Sequence, residues 1–194
     1  MQKLTTNDLY SLERYAKERA DFRTRVLAHK KNRRVMLGTN AALYFEDRLT
    51  IQYQIQEMLR TERIFEAQGI AEELDVYNPL IPDGHNWKAT FMLEYGDETE
   101  RHAALAQLIG IEDRVWVQVD DLSRVYAIAD EDMARSNAQK TSAVHFVRFE
   151  LTPAMIAQVK AGAVLGAGID HPQYHCQLKN LPDAVRAALA QDID

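Results

Sequence analysis

The sequence contains a single cysteine, Cys176, among its 194 residues. One thiol cannot form a disulfide within the chain, and it excludes CxxC redox pairs, zinc fingers and all-cysteine iron–sulfur ligation by this chain alone. Long apolar runs are also missing, because nowhere do eighteen apolar residues follow one another, and the N-terminal MQKLTTNDLYSLERY has no apolar core of a signal peptide. The sequence therefore predicts a soluble, cytoplasmic protein.

Positive charge is in short supply as well. The chain carries 23 lysines and arginines against 29 aspartates and glutamates, a formal net charge of -6. Because nucleic acids and anionic membranes are bound through cationic surfaces, a general binder of either is disfavoured. Phosphate-binding loops, Gly-x-Ser-x-Gly elbows, HExxH and dinucleotide fingerprints are absent too. What remains, with 46% hydrophobic and 27% charged residues, is an ordinary globular composition, and one domain over residues 1–194 is expected.

A proline-containing loop, Asn78–Asn86, separates two compositions. Residues 1–77 are predicted to be mainly helical, residues 87–178 mainly sheet, and residues 179–194 to end in a helix. Apolar residues at three- and four-residue spacings predict the helices of the first part, whereas strict alternation and β-branched runs predict the strands of the second.

Within the first part, the spacing predicts a helix from Thr6 to about Arg34. A small hairpin then pairs Arg34–Met36 with Ala42–Phe45, on either side of a turn-tolerant glycine and asparagine. A long helix follows to about Ala67, with Gly69 as its stop signal, and a further short helix comes after it.

In the second part, Asp97 is predicted to cap a helix between strands, and Gly166 and Gly168 indicate a bulge or a close backbone approach in the last strand. The predicted strands are Trp87–Tyr95, Arg114–Val119, Arg124–Ala129, Ser142–Leu151 and Ala163–Asp170. Tight turns or short helices join them, which favours an antiparallel arrangement. The predicted fold class is α+β, with a helical N-terminal part packed against a mostly antiparallel sheet of about five strands.

The stretch FEDRLTIQYQIQEMLRTERI threads glutamines, glutamates and arginines through a helical apolar pattern and contains no lysine. Glu57 and Arg60 can pair three residues apart, but no glutamate stands four residues before Arg48, Arg60 or Arg63. These groups and Gln56 are therefore predicted to point at something more distant. The partner could be a neighbouring helix, another chain or an anion. A carboxylate metal site is the weakest alternative, because the Glu-x-x-His repeat of di-iron bundles is missing.

Two further segments concentrate polar chemistry. The loop segment DGHNWK offers His85 as an acid or base near neutral pH and Lys88 as a cation, although Trp87 also fits a plain anchor in the core. The basic segment HKKNRR suits a helix C-terminus, an anion or partner site, or, least well, nucleic acid. The residues predicted to bind an anion or a partner are Arg48, Gln56, Glu57, Arg60, Arg63, His85 and Lys88.

The segment IDHPQYHC brings Asp170, His171, His175 and Cys176 within seven residues. Its spacing matches no standard zinc site without a second distant pair of ligands, and Pro172 disfavours a regular helix. A surface turn is the plainer interpretation, with a metal site or a reactive thiol as the alternative. His145, alternating with apolar residues, is interpreted as a satisfied, half-buried histidine. The sequence assigns no catalytic residue, metal or cofactor.

Several long stretches occur together and in order: HKKNRRV, FEDRLTIQYQIQEMLR, YNPLIPDGHNWKATF, IGIEDRVWVQV, YAIADED and TSAVHFVRFELTP. Over nearly its whole length the chain resembles a bacterial family of uncharacterised proteins, domain of unknown function number three-five-zero-one. The resemblance brings no catalytic residues. It implies gene neighbours encoding rubrerythrin-like and iron–sulfur, heterodisulfide-reductase-like proteins, and so a setting in peroxide or iron-linked redox physiology.

Two hypotheses for function follow. The first is a non-catalytic accessory or interaction protein that docks through the polar helix and the basic segment onto a rubrerythrin-like or iron–sulfur partner, or onto a second copy of itself. The alternative is a small enzyme or sensor that binds an anionic metabolite or nucleotide through Arg48, Arg60, Lys88 and His85. Metal binding through the histidines and carboxylates is a third possibility.

Overall fold

The computed structural model describes residues 2–137 and 139–194. Six α-helices are formed there: α1 Leu12–Lys30, α2 Arg48–Glu62, α3 Ala67–Tyr77, α4 Glu98–Gln107, α5 Pro153–Lys160 and α6 Asp183–Ala190. The strands are β1 Arg34–Met36, β2 Ala41–Phe45, β3 Asn86–Leu93, β4 Val115–Val119, β5 Val125–Tyr126, β6 Ile128–Ala129, β7 Val144–Glu150, β8 Leu165–His171 and β9 Tyr174–Leu178. The predicted α+β class is confirmed.

These strands form two antiparallel sheets, ordered β1-β2-β3-β7-β6 and β5-β4-β8-β9, instead of one sheet of about five strands. The predicted Arg124–Ala129 strand accounts for part of the difference. It breaks at Ala127, so that β5 pairs with β4 while β6 pairs with β7 in the other sheet. A short apolar run carries no signal for which of two sheets it joins, because both offer the same ladder of hydrogen bonds.

The main core lies between the inner faces of the two sheets. Phe91 and Phe149 of the five-stranded sheet are fully buried there, together with Val115 and Ile169 of the other sheet. Side chains alternate in β7, so Phe146 and Arg148 point to the opposite, outer face, where they are half-buried. This alternation places polar and apolar groups side by side on an outer face that the core does not use.

The helical part has its own apolar clusters. Ile51, Ile55 and Leu59 of α2 pack with Leu74 of α3, and a second cluster centres on Phe22 of α1. None of the helices in the described ranges combines the length and the apolar character needed to cross a membrane. The prediction of one domain over the whole chain stays a prediction.

Helix boundaries differ from the predicted ones for local reasons. The first predicted helix splits into a 3-10 turn, Thr6–Asp8, and α1, whose N-cap Ser11 accepts a hydrogen bond from Arg14 N. The long helix ends at Glu62, and its C-cap Arg63 adopts a left-handed conformation with φ of 56°. Gly69 lies inside α3, so its prediction as a stop is wrong. A Cβ there would lie 2.7 Å from Ile64 Cγ2, so this glycine makes room for the residue that follows the α2 terminus.

Candidate functional site

An open groove of about 1030 Å³ runs over the outer face of the five-stranded sheet. One wall is α3 with the 3-10 turn that follows it, Asn78–Leu80, and the other is the connection between β6 and β7. The floor consists of outward side chains of β3 and β7. The groove therefore lies where the helical part, the sheet and a long connection meet.

Large apolar side chains stand open on both walls of the groove. Val76 of α3 is 64% exposed, and Met133 of the β6–β7 connection is 61% exposed. Leu80 and the half-buried ring of Phe146 continue the apolar surface between them. Because apolar surface in water is unfavourable, covering these side chains with another apolar group would be stabilising.

The floor of the groove carries a chain of ion pairs. His85 Nδ1 lies 2.5 Å from Glu150 Oε1, and Arg148 contacts the other oxygen of Glu150. Arg148 also holds Glu131 with two hydrogen bonds of 2.9 Å, which lowers the pKa of Glu131 and raises that of Arg148. Within the described residues, nothing hydrogen-bonds to Nε2 of His85, whose side chain is 56% exposed. His85 thus lines the groove with one ring nitrogen held by a carboxylate and the other without a hydrogen-bond partner among the described residues.

Lys88, at the edge of the groove, is occupied within the chain. Its ammonium donates to Pro79 O at 2.7 Å, to Ile81 O at 3.0 Å and to Asp83 Oδ2 at 2.6 Å, which uses all three protons. Burial lowers the pKa of Lys88, and Asp83 offsets part of that shift. Burial alone would raise the pKa of Asp83, but hydrogen bonds from Lys3 and Lys88 lower it overall. Lys88 therefore fastens the loop that the sequence marked as a candidate site.

Three polar groups of α2, those of Arg48, Gln56 and Glu57, meet distant partners, as predicted. Gln56 is fully buried, where its Oε1 accepts from Tyr10 N at 2.5 Å. Glu57 accepts two hydrogen bonds from Arg19, at 2.8 and 2.7 Å, and these lower its pKa. The partners belong to α1 and to the segment before it. The packed-helix interpretation accounts for both side chains, because their polar groups are hydrogen-bonded within the chain.

The seven predicted binding residues lie in three places. His85 and Lys88 line the groove. Arg48 joins Gln56 and Glu57 in contacts with the N-terminal segment, through a 2.5 Å ion pair with Asp8 Oδ1. Arg60 and Arg63 are exposed at the C-terminal end of α2. The structure thus does not gather the set around one hollow, and binding of an anion or partner by these residues stays a prediction.

The basic segment HKKNRR is tied to its own chain. His29 lies 2.5 Å from Asp47, and Arg34 lies 2.9 Å from Glu94. Arg33 is buried against Asp192 near the end of the chain. The helix-terminus interpretation fits these contacts, and the segment does not join Arg48, Arg60 or Lys88.

The segment IDHPQYHC forms the hairpin between β8 and β9. His171 Nδ1 accepts from Gln173 N at 3.2 Å, so Nε2 carries the proton and donates to Ile109 O at 3.2 Å. Burial raises the pKa of the Cys176 thiol, which reduces the thiolate fraction and with it the reactivity. The geometry is that of a surface turn.

One polar cluster gave no signal in the sequence. Glu112, Asp130 and His145 bring potential ligand atoms within 4.8 Å of one another. Asp130 lies 2.6 Å from Nδ1 of the imidazole, while Glu112 lies 3.8 Å from Nε2, on the other side of the ring. The hydroxyl of Thr141 bridges Nε2 and Glu112, at 2.9 and 3.0 Å, so the arrangement is a hydrogen-bonded network.

Comparison with known proteins shows a family to which the chain is similar over nearly its whole length. A family model described as "Protein of unknown function (DUF3501)" matches residues 3–193. A crystal structure described as a novel protein of unknown function from Burkholderia pseudomallei K96243 is 56% identical, with a TM-score of 0.95 and 100% of each chain covered. No curated protein matches the chain.

Proposed function

The chain belongs to the DUF3501 family, and we propose that it is a non-catalytic interaction protein that holds an apolar segment of a partner protein in its groove. One observation carries the proposal. Val76 and Met133 stand exposed on opposite walls above a floor whose cations are already paired within the chain. Rubrerythrin-like or iron–sulfur proteins are the proposed partners, and the family resemblance supports them.

The charges of the groove favour an apolar occupant over an anionic one. An anion at Arg148 would compete with Glu131 and Glu150 for the guanidinium. An anion at Lys88 would have to displace Asp83 or one of the two carbonyl oxygens that accept from its ammonium. Removing one partner of such a pair carries a free-energy cost that the anion must first offset. Covering a large apolar side chain has no such cost and contributes roughly 1.5–3 kcal/mol when burial is complete.

The shape of the groove favours a protein segment over a small molecule. Its volume of about 1030 Å³ reaches the upper end of the range of small-molecule sites, and it is open to solvent along its length. Asp130 already donates its N–H to Phe146 O at 2.8 Å and accepts from Phe146 N at 3.1 Å, which closes that edge of β7 to an added strand. Recognition would therefore rest on side chains that fit between the two walls.

We expect Val76→Asp and Met133→Asp each to weaken binding to the purified rubrerythrin-like or iron–sulfur partner by about tenfold or more, because a charge in the bound groove would be desolvated. Isothermal titration calorimetry at low salt measures the change. Val164→Asp is the matched control, since Val164 is 41% exposed outside the groove. If the wild type binds neither partner and sediments as a strict monomer, or if the control weakens binding equally, the proposal fails.

A second function, a small enzyme or sensor, is favoured by the His85–Glu150 pair. An imidazole with one nitrogen held by a carboxylate and the other open to a groove is the arrangement used by general bases and ligand-binding histidines. Its proposed ligand is an anionic metabolite or nucleotide that reaches His85 Nε2. Arg48 and Arg60, the other predicted contacts, do not line the groove.

For this second function we expect at least one compound in a screen of phosphates, nucleotides and carboxylates to raise the melting temperature of the wild type, because selective binding stabilises the folded state. His85→Asn should remove the response with little change in basal stability, since the side chain is 56% exposed. His175→Asn is the control, because that histidine is 68% exposed elsewhere on the surface. A flat screen, or an equal loss in both variants, would count against the function.

A further inference from the structure

The β6–β7 connection, which carries Met133 of the groove wall, is attached mainly through polar groups. Every described residue from 131 to 140 is exposed or half-buried, so the connection contributes nothing to the core. Three of its residues reach inward instead: Asp130, Ser136 and Thr141. Asp130 contacts the buried side chain of His145, Ser136 contacts that of Glu112, and Thr141 contacts both.

The hydrogen bonds fix the protonation of the His145 ring. Nε2 lies 3.0 Å from Ser142 O, and a carbonyl oxygen can only accept. Nδ1 lies 2.6 Å from Asp130 Oδ2. The second oxygen of Asp130 accepts from Phe146 N and from Arg135, both at 3.1 Å, as a carboxylate does. The hydroxyl of Thr141, 2.9 Å from Nε2, donates its proton to Glu112 at 3.0 Å and so presents a lone pair to the ring. Both ring nitrogens therefore face acceptors, and the doubly protonated imidazolium is the form that donates to both.

The surroundings of the ring call for this positive charge. Glu112 is 6% exposed and accepts from the hydroxyls of Ser136 and Thr141, neither of which carries charge. Burial raises the pKa of nearby Asp113, and Glu112 adds to the rise. The charged groups around the ring are Glu112, Asp113 and Asp130 on the acidic side and Arg114 and Arg135 on the basic side. Phe91 covers one face of the ring, with a centroid distance of 6.2 Å.

We propose that the imidazolium of His145 is a latch that holds the β6–β7 connection against the body of the protein and releases it as the pH rises. When the ring loses a proton, one nitrogen becomes an acceptor facing an acceptor, and Glu112 and Asp130 lose the cation between them. The free energy that favours the closed connection is thus present while His145 is charged and is lost on deprotonation.

Widening of the groove on release would rest on the proposed function, whereas the latch itself does not. The test therefore uses the free protein. Nitrogen-15 NMR of labelled histidine reports the protonation of His145, and hydrogen exchange reports protection of the 131–137 segment relative to its intrinsic exchange rate, both from about pH 6 to about pH 10. We expect the doubly protonated signature wherever the segment is protected, and protection that falls about tenfold or more in step with the loss of that signature.

His145→Gln is the variant that cannot change charge, so its protection in the 131–137 segment should be low and independent of pH. Should that variant fail to fold, the wild-type protein still tests the latch, because the protonation of His145 and the protection of the 131–137 segment are both measured in it. A ring that is neutral, or becomes neutral, while the segment stays protected would overturn the latch. Neither result would bear on whether a partner binds the groove.

Discussion

Replacing Asp192 with alanine is expected to destabilise the protein by about 3 kcal/mol, measured by urea unfolding at about pH 8. Asp192 and Arg33 are both 2% exposed and form a buried ion pair. Without the carboxylate, the guanidinium remains buried with Phe45 O at 3.0 Å and Asp47 at 3.3 Å as its main partners. Because Asp47 remains, we expect the loss to fall at the lower end of the range for a broken buried pair.

The same carboxylate makes stability depend on pH. Burial raises the pKa of Asp192 from 3.8 to about 7, although Arg33 beside it favours the ionised form. A raised pKa means that the folded state holds a proton that the unfolded chain has released. The part of the stability that is linked to this proton is therefore full below about pH 4 and is lost as the pH rises to about 7, by a few kcal/mol. Asp192→Asn, which cannot titrate, should not show this fall. The loss expected for Asp192→Ala at about pH 8 comes instead from leaving the buried guanidinium of Arg33 without its ionised partner.

Two comparisons separate the buried pair from a general loss of structure near α6. Asp183→Ala removes a carboxylate of α6 whose side chain is 90% exposed, and it should change stability by no more than about 0.5 kcal/mol. Arg33→Met combined with Asp192→Ala should cost less than the two single changes together, since neither charge is then left unpaired. Additive losses would show that the pair contributes nothing beyond packing.

Helix caps and tight turns, which depend on residues close together in the chain, could be predicted from the sequence. Asp97 caps α4 by accepting from Glu100 N at 2.9 Å, and Thr152 caps α5 by accepting from Met155 N at 3.3 Å. The β1–β2 hairpin pairs Arg34 with Tyr44 through a turn that Gly38 permits, with φ of 81°. In the two caps the donor and the acceptor lie three positions apart, and in the hairpin the glycine lies within the turn itself. A short stretch of sequence is therefore enough to predict each feature.

The groove and the latch could not be predicted, because their parts come from distant positions. His85 and Glu150 meet across 65 residues, and Thr141 reaches Glu112 across 29. For α2 the sequence does show that its polar groups lack local partners, since the absence of suitably spaced carboxylates is a local fact. Which partner each group finds depends on how α1 and the preceding segment pack, and no periodicity contains that information.

Replacing Gly168 with alanine is expected to destabilise the protein by about 3 kcal/mol or more, because overpacking of a rigid core is costly. A Cβ there would lie 2.3 Å from Trp116 Cζ2 and 2.5 Å from Cys176 O. Trp116 is fully buried, and Cys176 O belongs to the paired backbone of β9, so neither can retreat easily. The residues of β4 and β8 pair one to one, Trp116 with Gly168 among them, so no bulge is present there. Gly168 instead serves the predicted close approach.

Urea unfolding of three further variants decides whether the indole is the obstacle. Gly96→Ala is the matched control, because a Cβ there meets nothing within 4 Å, and it should leave stability nearly unchanged. Trp116→Phe removes the indole atoms nearest to the added methyl, so the double variant with Gly168→Ala should lose less than the sum of the single losses. Additive losses would place the clash at Cys176 O instead, and a Gly168→Ala variant as stable as the control would contradict the close packing of β4 against β8.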